Sequence, residues 1–272
     1  MRVQLVIGIL SFSLTPSLCC QEVVFSRRVY KEQGPSYQQI WSWNPANDVL
    51  RELTHSARDH YLPACKEGSI TFVSPEKWKE NAKLWSFDPA SGQERAIGPV
   101  PVVHEREMPK NGCVTSGVLE ACRRDEEDDL FLSRGGKQIG HFHIQANDCL
   151  DEHGGNHGPC DTPIVSLEWS PDGKWLLVGG LADLHETYYF LVDAVAMRLR
   201  EAATAFPYSM VWLPGREELL YVTPMQTAPL PGGRGKRNVW VQHLMVLNAV
   251  TGTSRAITSG LSNNVDAALC KK

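Results

Sequence analysis

LWSFDPASGQERAI (residues 84–97) and LMVLNAVTGTSRAI (244–257) align without a gap, and that alignment decides the fold. QIWSWNPANDVLREL (39–53) and YFLVDAVAMRLR (189–200) fall into the same frame. Each is a β-rich run that meets Asp or Asn, passes a short turn and carries Arg seven positions later: Asp88 to Arg95, Asn248 to Arg255, Asn44 to Arg51, Asp193 to Arg200. Asp and Asn side chains bond their own backbone in tight turns, and Gly92 and Gly252 supply a left-handed residue without steric cost. The pattern predicts a β-hairpin used four times.

A second unit interleaves with the first. SLEWSPDGKWLLV (166–178) and SMVWLPGREELLYV (209–222) carry it in full, with shorter matches at YLPACKEG (61–68) and VLEACRRD (118–125). It reads as a short apolar strand, a turn, and another apolar strand. AALC (267–270) matches its first half and stops, while the stretch from Val23 begins where the unit would continue. The last strand should therefore share a sheet with the first ones, which is how a propeller avoids an open edge. Inner strands near residues 62, 118, 165, 209 and 267 predict an all-β fold, a β-propeller of five four-stranded blades, with a sixth, degenerate blade as the alternative. The spacings of roughly 43 to 58 residues compare with ~40–50 per blade.

WSPDGKWLLVGG (169–180) resembles the WD-like repeat of the TolB-type propeller superfamily, and TGTSRAITSGLSNN (251–264) is similar to the junction between repeats of that group. The resemblance spans about residues 22–272 and implies the propeller fold. The group includes periplasmic partners of envelope proteins and the propeller halves of serine peptidases, so it implies no single activity.

Arg2, an apolar run over residues 3–14 and TPSLCC (15–20) read as a secretory signal peptide, dividing the chain into a leader (1–20) and a propeller domain (21–272). The run is short for a membrane span. A lipid anchor at Cys19 or Cys20 is the weaker alternative, because the residues before them fit a lipoprotein signal poorly. The expected location is the periplasm or the outside of the cell. With 27 Lys+Arg against 31 Asp+Glu, a net charge of -4 gives no support for nucleic-acid binding.

HFH (141–143) and CLDEHGGNHGPCD (149–161) hold the densest chemistry. Cys149, His153, His157 and Cys160 could hold a tetrahedral metal, with His141 or His143 added. In an oxidising compartment the same cysteines instead predict a Cys149–Cys160 disulfide, stapling a glycine-rich loop by ~2–3 kcal/mol. Cys65, Cys122 and Cys270 share a register just past three inner strands. Sheets lie ~10 Å apart and a disulfide spans at most about 7 Å, so these three are expected as unpaired, buried thiols. A three-thiol ring is the sharper alternative, and a Cys113–Cys122 pair is left open.

Five-bladed rings include glycosidases, which makes Asp59, Asp161 and Asp266 the alternative catalytic set. They share no register, and Asp before a strand is ordinary turn chemistry. The acidic run 125–129 lacks a calcium-loop pattern and reads as a solvated turn. The eight tryptophans read mostly as core. No nucleophile elbow, P-loop, HExxH or dinucleotide fingerprint occurs, and no cofactor is expected. The preferred reading is a non-catalytic binding scaffold for another envelope or extracellular protein. Its surface would combine His141 and His143 with the basic 225–238 loop, Arg234, Lys236 and Arg237.

Overall fold

The computed structural model describes residues 22–66, 69–77, 80–100, 112–124, 126–149, 158–182, 186–231 and 237–270, so the expected leader lies outside the described residues. All regular structure among them is β. The first sheet holds β1 (Glu22–Val29), β2 (Gln38–Asn44) and β3 (Val49–Glu52); the second holds β4 (Tyr61–Lys66), β5 (Ser69–Lys77), β6 (Glu80–Asp88) and β7 (Gln93–Pro99). The third comprises β8 (Cys113–Ser116), β9 (Leu119–Arg124), β10 (Glu126–Arg134) and β11 (Lys137–His143). A two-stranded ribbon, β12 (Gln145–Ala146) with β13 (Cys160–Asp161), leads to the fourth: β14 (Ile164–Trp169), β15 (Trp175–Leu181), β16 (Thr187–Asp193) and β17 (Arg198–Ala205).

The fifth sheet contains β18 (Val211–Trp212) and β19 (Glu218–Val222), then a ribbon of β20 (Gln226–Pro229) and β21 (Asn238–Val241), then β22 (Leu244–Asn248) and β23 (Ser254–Ala256). The last strand, β24 (Ser262–Cys270), joins the first sheet in the order β24-β1-β2-β3. Residues 22–24 pair with 268–270, and 26–29 with 262–265. Among the described residues, five four-stranded antiparallel sheets, with the first and last strands in one of them, match the blades that the repeat predicts.

The turns explain the repeat. Asn44, Asp88, Asp193 and Asn248 each accept a backbone N–H two residues on through Oδ1, from Ala46, Ala90, Val195 and Val250. Four residues after each, the chain is left-handed, at Asp48, Gly92, Met197 and Gly252 (φ 57°, 69°, 54° and 74°). In two of the four repeats the arginine then reaches the next sheet. Arg200 bonds the Ala249 carbonyl, and Arg255 lies 3.1 Å from Asp48. Tryptophans do the same backwards: Trp169 Nε1 donates to the Val114 carbonyl (3.2 Å), and Trp212 Nε1 to that of Glu168 (3.3 Å).

That last device corrects one expectation. The inner strand of the third sheet is β8, packed beside β14, and not the stretch at 118, which forms β9. The apolar-strand-and-turn pattern fits β9 as well as β8, and β8 is only four residues long. Buried clusters join neighbouring sheets: first to second through Val24, Ile40 and Phe72, third to fourth through Leu130 and Leu176, fourth to fifth through Leu191 and Leu219, fifth to first through Leu220 and Trp43. Among the described residues no such cluster joins the second sheet to the third.

Packing is tight on β15. A Cβ added at Gly180 would strike Thr162 and press on Phe190. Gly180→Ala should therefore lower stability by ~1–3 kcal/mol in urea unfolding, the usual range for overpacking. A loss under a few tenths would show that the contact relaxes freely.

Among the described residues three disulfides are present: Cys65–Cys270, Cys113–Cys122 and Cys149–Cys160. The first overturns the expectation of unpaired thiols, and with it the three-thiol ring. A ~10 Å spacing describes sheets packed face to face. The inner strands β4 and β24 converge instead, bringing the two Cα atoms to 5.0 Å. Cys113 and Cys122 are direct cross-strand partners on β8 and β9. Three such bonds fit an oxidising compartment. Among the described residues no helix is long and apolar enough to cross a membrane.

Candidate functional site

The second, third and fourth sheets each take four consecutive antiparallel strands, so the chain leaves them from the end at which it entered. The sheet-to-sheet connections, the β12–β13 ribbon and the β20–β21 ribbon all belong to this connection end. Exposed apolar side chains there include Val29, Leu62, Leu181, Tyr208 and Trp240.

The three aspartates of the catalytic alternative do not converge. Asp59 is spent on structure: Oδ2 pairs with Arg28 (2.9 Å) and accepts from Tyr61 (3.0 Å), while Oδ1 accepts the Gln38 N–H at 2.6 Å. Asp266 belongs to the adjoining inner strand and accepts the Leu62 N–H (3.2 Å). Leu62 and Asp266 are both left-handed (φ 49° and 56°), each beside an interruption of strand pairing. Their bond braces two strained positions against each other. Burial pushes the Asp266 carboxyl up, with the Leu62 N–H opposing. Asp161 lies apart, in β13.

A cleft of about 570 Å³ opens beside this cluster, at the connection end of the first sheet. Arg27, Trp41, Gln39, Tyr37, Glu52 and His55 are among its lining residues. The volume lies in the range of small-ligand sites, ~300–1,000 Å³. The Arg27 guanidinium rests over the Trp41 ring, 4.6 Å from its centroid, and Arg27 Nε is buried with no protein partner. Burial lowers the Arg27 pKa, and Glu52 acts against it. Sequence reasoning missed this site by assigning the tryptophans to the core. Arg27 and Trp41 are diagonal cross-strand neighbours on β1 and β2 (Phe25 faces Trp41, Arg27 faces Gln39), and only known pairing reveals that.

The two predicted histidines lie together. His141 and His143 sit at the end of β11, with Asp128 and Asp129 on the facing part of β10 and Asp161 on β13. His143 Nε2 lies 2.8 Å from Asp161 Oδ1, and its Nδ1 lies 3.2 Å from Asp129 Oδ1. These two bonds, Asp161 first, raise the His143 pKa. Hydrogen bonds from His141 and then His143 lower that of Asp129. The expectation of a solvated acidic turn is thus corrected: Asp128 and Asp129 lie in a strand, where a break in the β9–β10 pairing re-aims them.

The thiolate metal set is also corrected, because Cys149 and Cys160 are bonded to each other. A disulfide sulfur is no thiolate ligand. His153 and His157 lie outside the described residues, as do Arg234 and Lys236 of the basic loop; Arg237 is exposed.

No family model matches the chain. No curated protein matches it either. Solved structures similar to it include TolB from Acinetobacter baumannii, 10% identical with a TM-score of 0.34, covering 93% of this chain and 67% of that one. A periplasmic gluconolactonase from Pseudomonas aeruginosa is 13% identical with a TM-score of 0.38, covering 91% and 99%. The β-propeller domain of the Trilobed protease from Pyrococcus furiosus is 13% identical with a TM-score of 0.31, covering 74% and 58%. At such scores none of the three bears on what this chain binds.

Proposed function

We propose that this protein is an exported, non-catalytic binding scaffold that takes an acidic segment of another envelope or extracellular protein into the cleft of the first sheet. The observation that carries the reading is Arg27, a cation held on an indole face in a cleft wall, with a buried N–H left without a protein partner. An arginine fixed in this way has lost little further entropy when it meets a carboxylate, and offers it a planar fork. His55 and Lys31 add basic groups at the rim, against Glu52. The carboxylate set of the enzyme alternative lends little support to hydrolysis, since Asp59 has both oxygens committed to Arg28, Tyr61 and Gln38.

The test is calorimetric titration with a glutamate-rich decapeptide and its glutamine counterpart. The acidic peptide should bind at least tenfold more tightly, with an affinity that falls as salt rises. Arg27→Gln should remove most of that preference, about 1.4 kcal/mol or more. Equal binding of the two peptides, or an unchanged Arg27→Gln variant, overturns the reading.

A further inference from the structure

The geometry points to a second site, independent of the cleft: Asp128, Asp129 and His143 form a binding site for a divalent transition metal, with Asp161 as its outer carboxylate. One oxygen from each aspartate and one ring nitrogen of His143 lie within 4.8 Å of one another. The nitrogen is Nδ1, 3.2 Å from Asp129 Oδ1 and 3.9 Å from Asp128 Oδ2. Two ligands on one ion with bonds of about 2.0–2.1 Å stand ~3.0–3.4 Å apart, so small shifts admit a metal between them.

The chemistry of His143 is the stronger argument. Its Nε2 donates to Asp161 Oδ1 at 2.8 Å, so the ring keeps that proton when a metal replaces the Nδ1 proton now shared with Asp129. Metal-binding histidines are held in this way, with the far N–H on a carboxylate that fixes tautomer and ring orientation. Gln145 Nε2 donates to the same Asp161 oxygen (3.3 Å) and steadies it. The two aspartates are mostly buried, at 17% and 19% side-chain exposure, and their ion-pair partners among the described residues are His141 and His143 alone. Adjacent carboxylates whose partners among the described residues are histidines favour a doubly charged ion. His141 flanks the site with Nε2 at 3.1 Å from Asp129 Oδ1, its ring stacked on Phe131 at 4.5 Å.

One nitrogen and two carboxylates leave positions open for water, and an imidazole selects zinc over calcium. Chelator-treated protein titrated with Zn²⁺ at pH 7 should bind one equivalent, more tightly than Ca²⁺ by at least tenfold. His143→Gln should weaken Zn²⁺ binding about 100-fold, and Asp161→Asn about tenfold, the range for outer carboxylates. Circular dichroism checks that both variants fold. Should either fail to fold, the histidine ring ¹⁵N shifts of the intact protein decide: zinc must move His143 Nδ1 and leave Nε2 protonated. Zinc binding that survives His143→Gln, a preference for Ca²⁺, or zinc on Nε2 overturns the proposal. Binding to the acidic peptide should be the same with and without metal, so failure here and failure of the cleft are distinguishable.

Discussion

Removal of the Cys65–Cys270 bridge should cost the folded protein about 5 kcal/mol, the largest loss expected from any pair of substitutions here. The two cysteines are 205 residues apart in sequence. In the chain-entropy account, a closed loop of that size removes ~5 kcal/mol of freedom from the unfolded chain. Loops closed over separations of 9 and 11 residues, as at Cys113–Cys122 and Cys149–Cys160, remove only ~3 kcal/mol each. The native state adds to the difference. β24 is the last strand of the chain, held in its sheet by β1 alone, and the bridge ties its end to β4 on the neighbouring sheet. Cys65→Ser with Cys270→Ser should therefore lower the thermal midpoint by about 10–20 °C and raise the urea m-value as the unfolded chain expands. Cys149→Ser with Cys160→Ser should move the midpoint roughly half as far. If the two double variants melt together, loop size is not what sets the bridges' contributions.

The bridge also marks where sequence reasoning stopped. The hairpins were legible because their signal is local: an Asx side chain two residues from the N–H it accepts, and a left-handed residue four positions on. The shared sheet of the two chain ends was legible too, since AALC at 267–270 is half of a unit that Val23 resumes. Distances between sheets were not. Nothing in the register of Cys65 and Cys270 tells that inner strands converge to 5.0 Å where packed faces stand ~10 Å apart. The third sheet failed for a related reason, because β8 and β9 are two adjacent short strands, and the packing of β8 beside β14, with the Trp169 bond to Val114, shows which is inner. At the candidate sites, His141, His143 and Asp161 were visible as residue types. Asp128 and Asp129 were hidden inside a run of five acids, since charge runs are usually solvent-facing. A break in strand pairing turned these two towards the histidines.

The second large effect is a loss of stability in mild acid, carried by His60. Its side chain is fully buried, with Phe72 edge-on at 4.4 Å and Nε2 against Ser56 Oγ at 2.5 Å. Burial is the main cause that lowers its pKa to about 4; the nearby Arg58 lowers it further, and Asp59 acts in the opposite direction. Glu94 Oε2, 3.9 Å from Nε2, also faces the ring, but is itself paired with Arg58. An unfolded chain protonates this histidine near 6.5. Between about pH 6.5 and 4 the unfolded state therefore binds the extra proton. The contribution of neutral His60 is complete above 6.5, falls as pH drops through that window and levels off below 4. A displacement of this size corresponds to roughly 3 kcal/mol. The raised carboxyl of Asp266 works with the opposite sign, stabilising the fold as it takes up its proton, so the whole-protein slope is shallower than that of His60 alone. The two are separated by comparing urea unfolding of the wild type and His60→Gln at pH 7 and pH 4.5. Glutamine keeps a donor for Ser56 and does not titrate. It should be less stable than the wild type at pH 7, and that gap should close by about 2 kcal/mol or more at pH 4.5. A gap that stays constant across the window would mean that His60 titrates as it does in water, and that the pocket formed by Phe72, Ser56 and Arg58 is open to solvent.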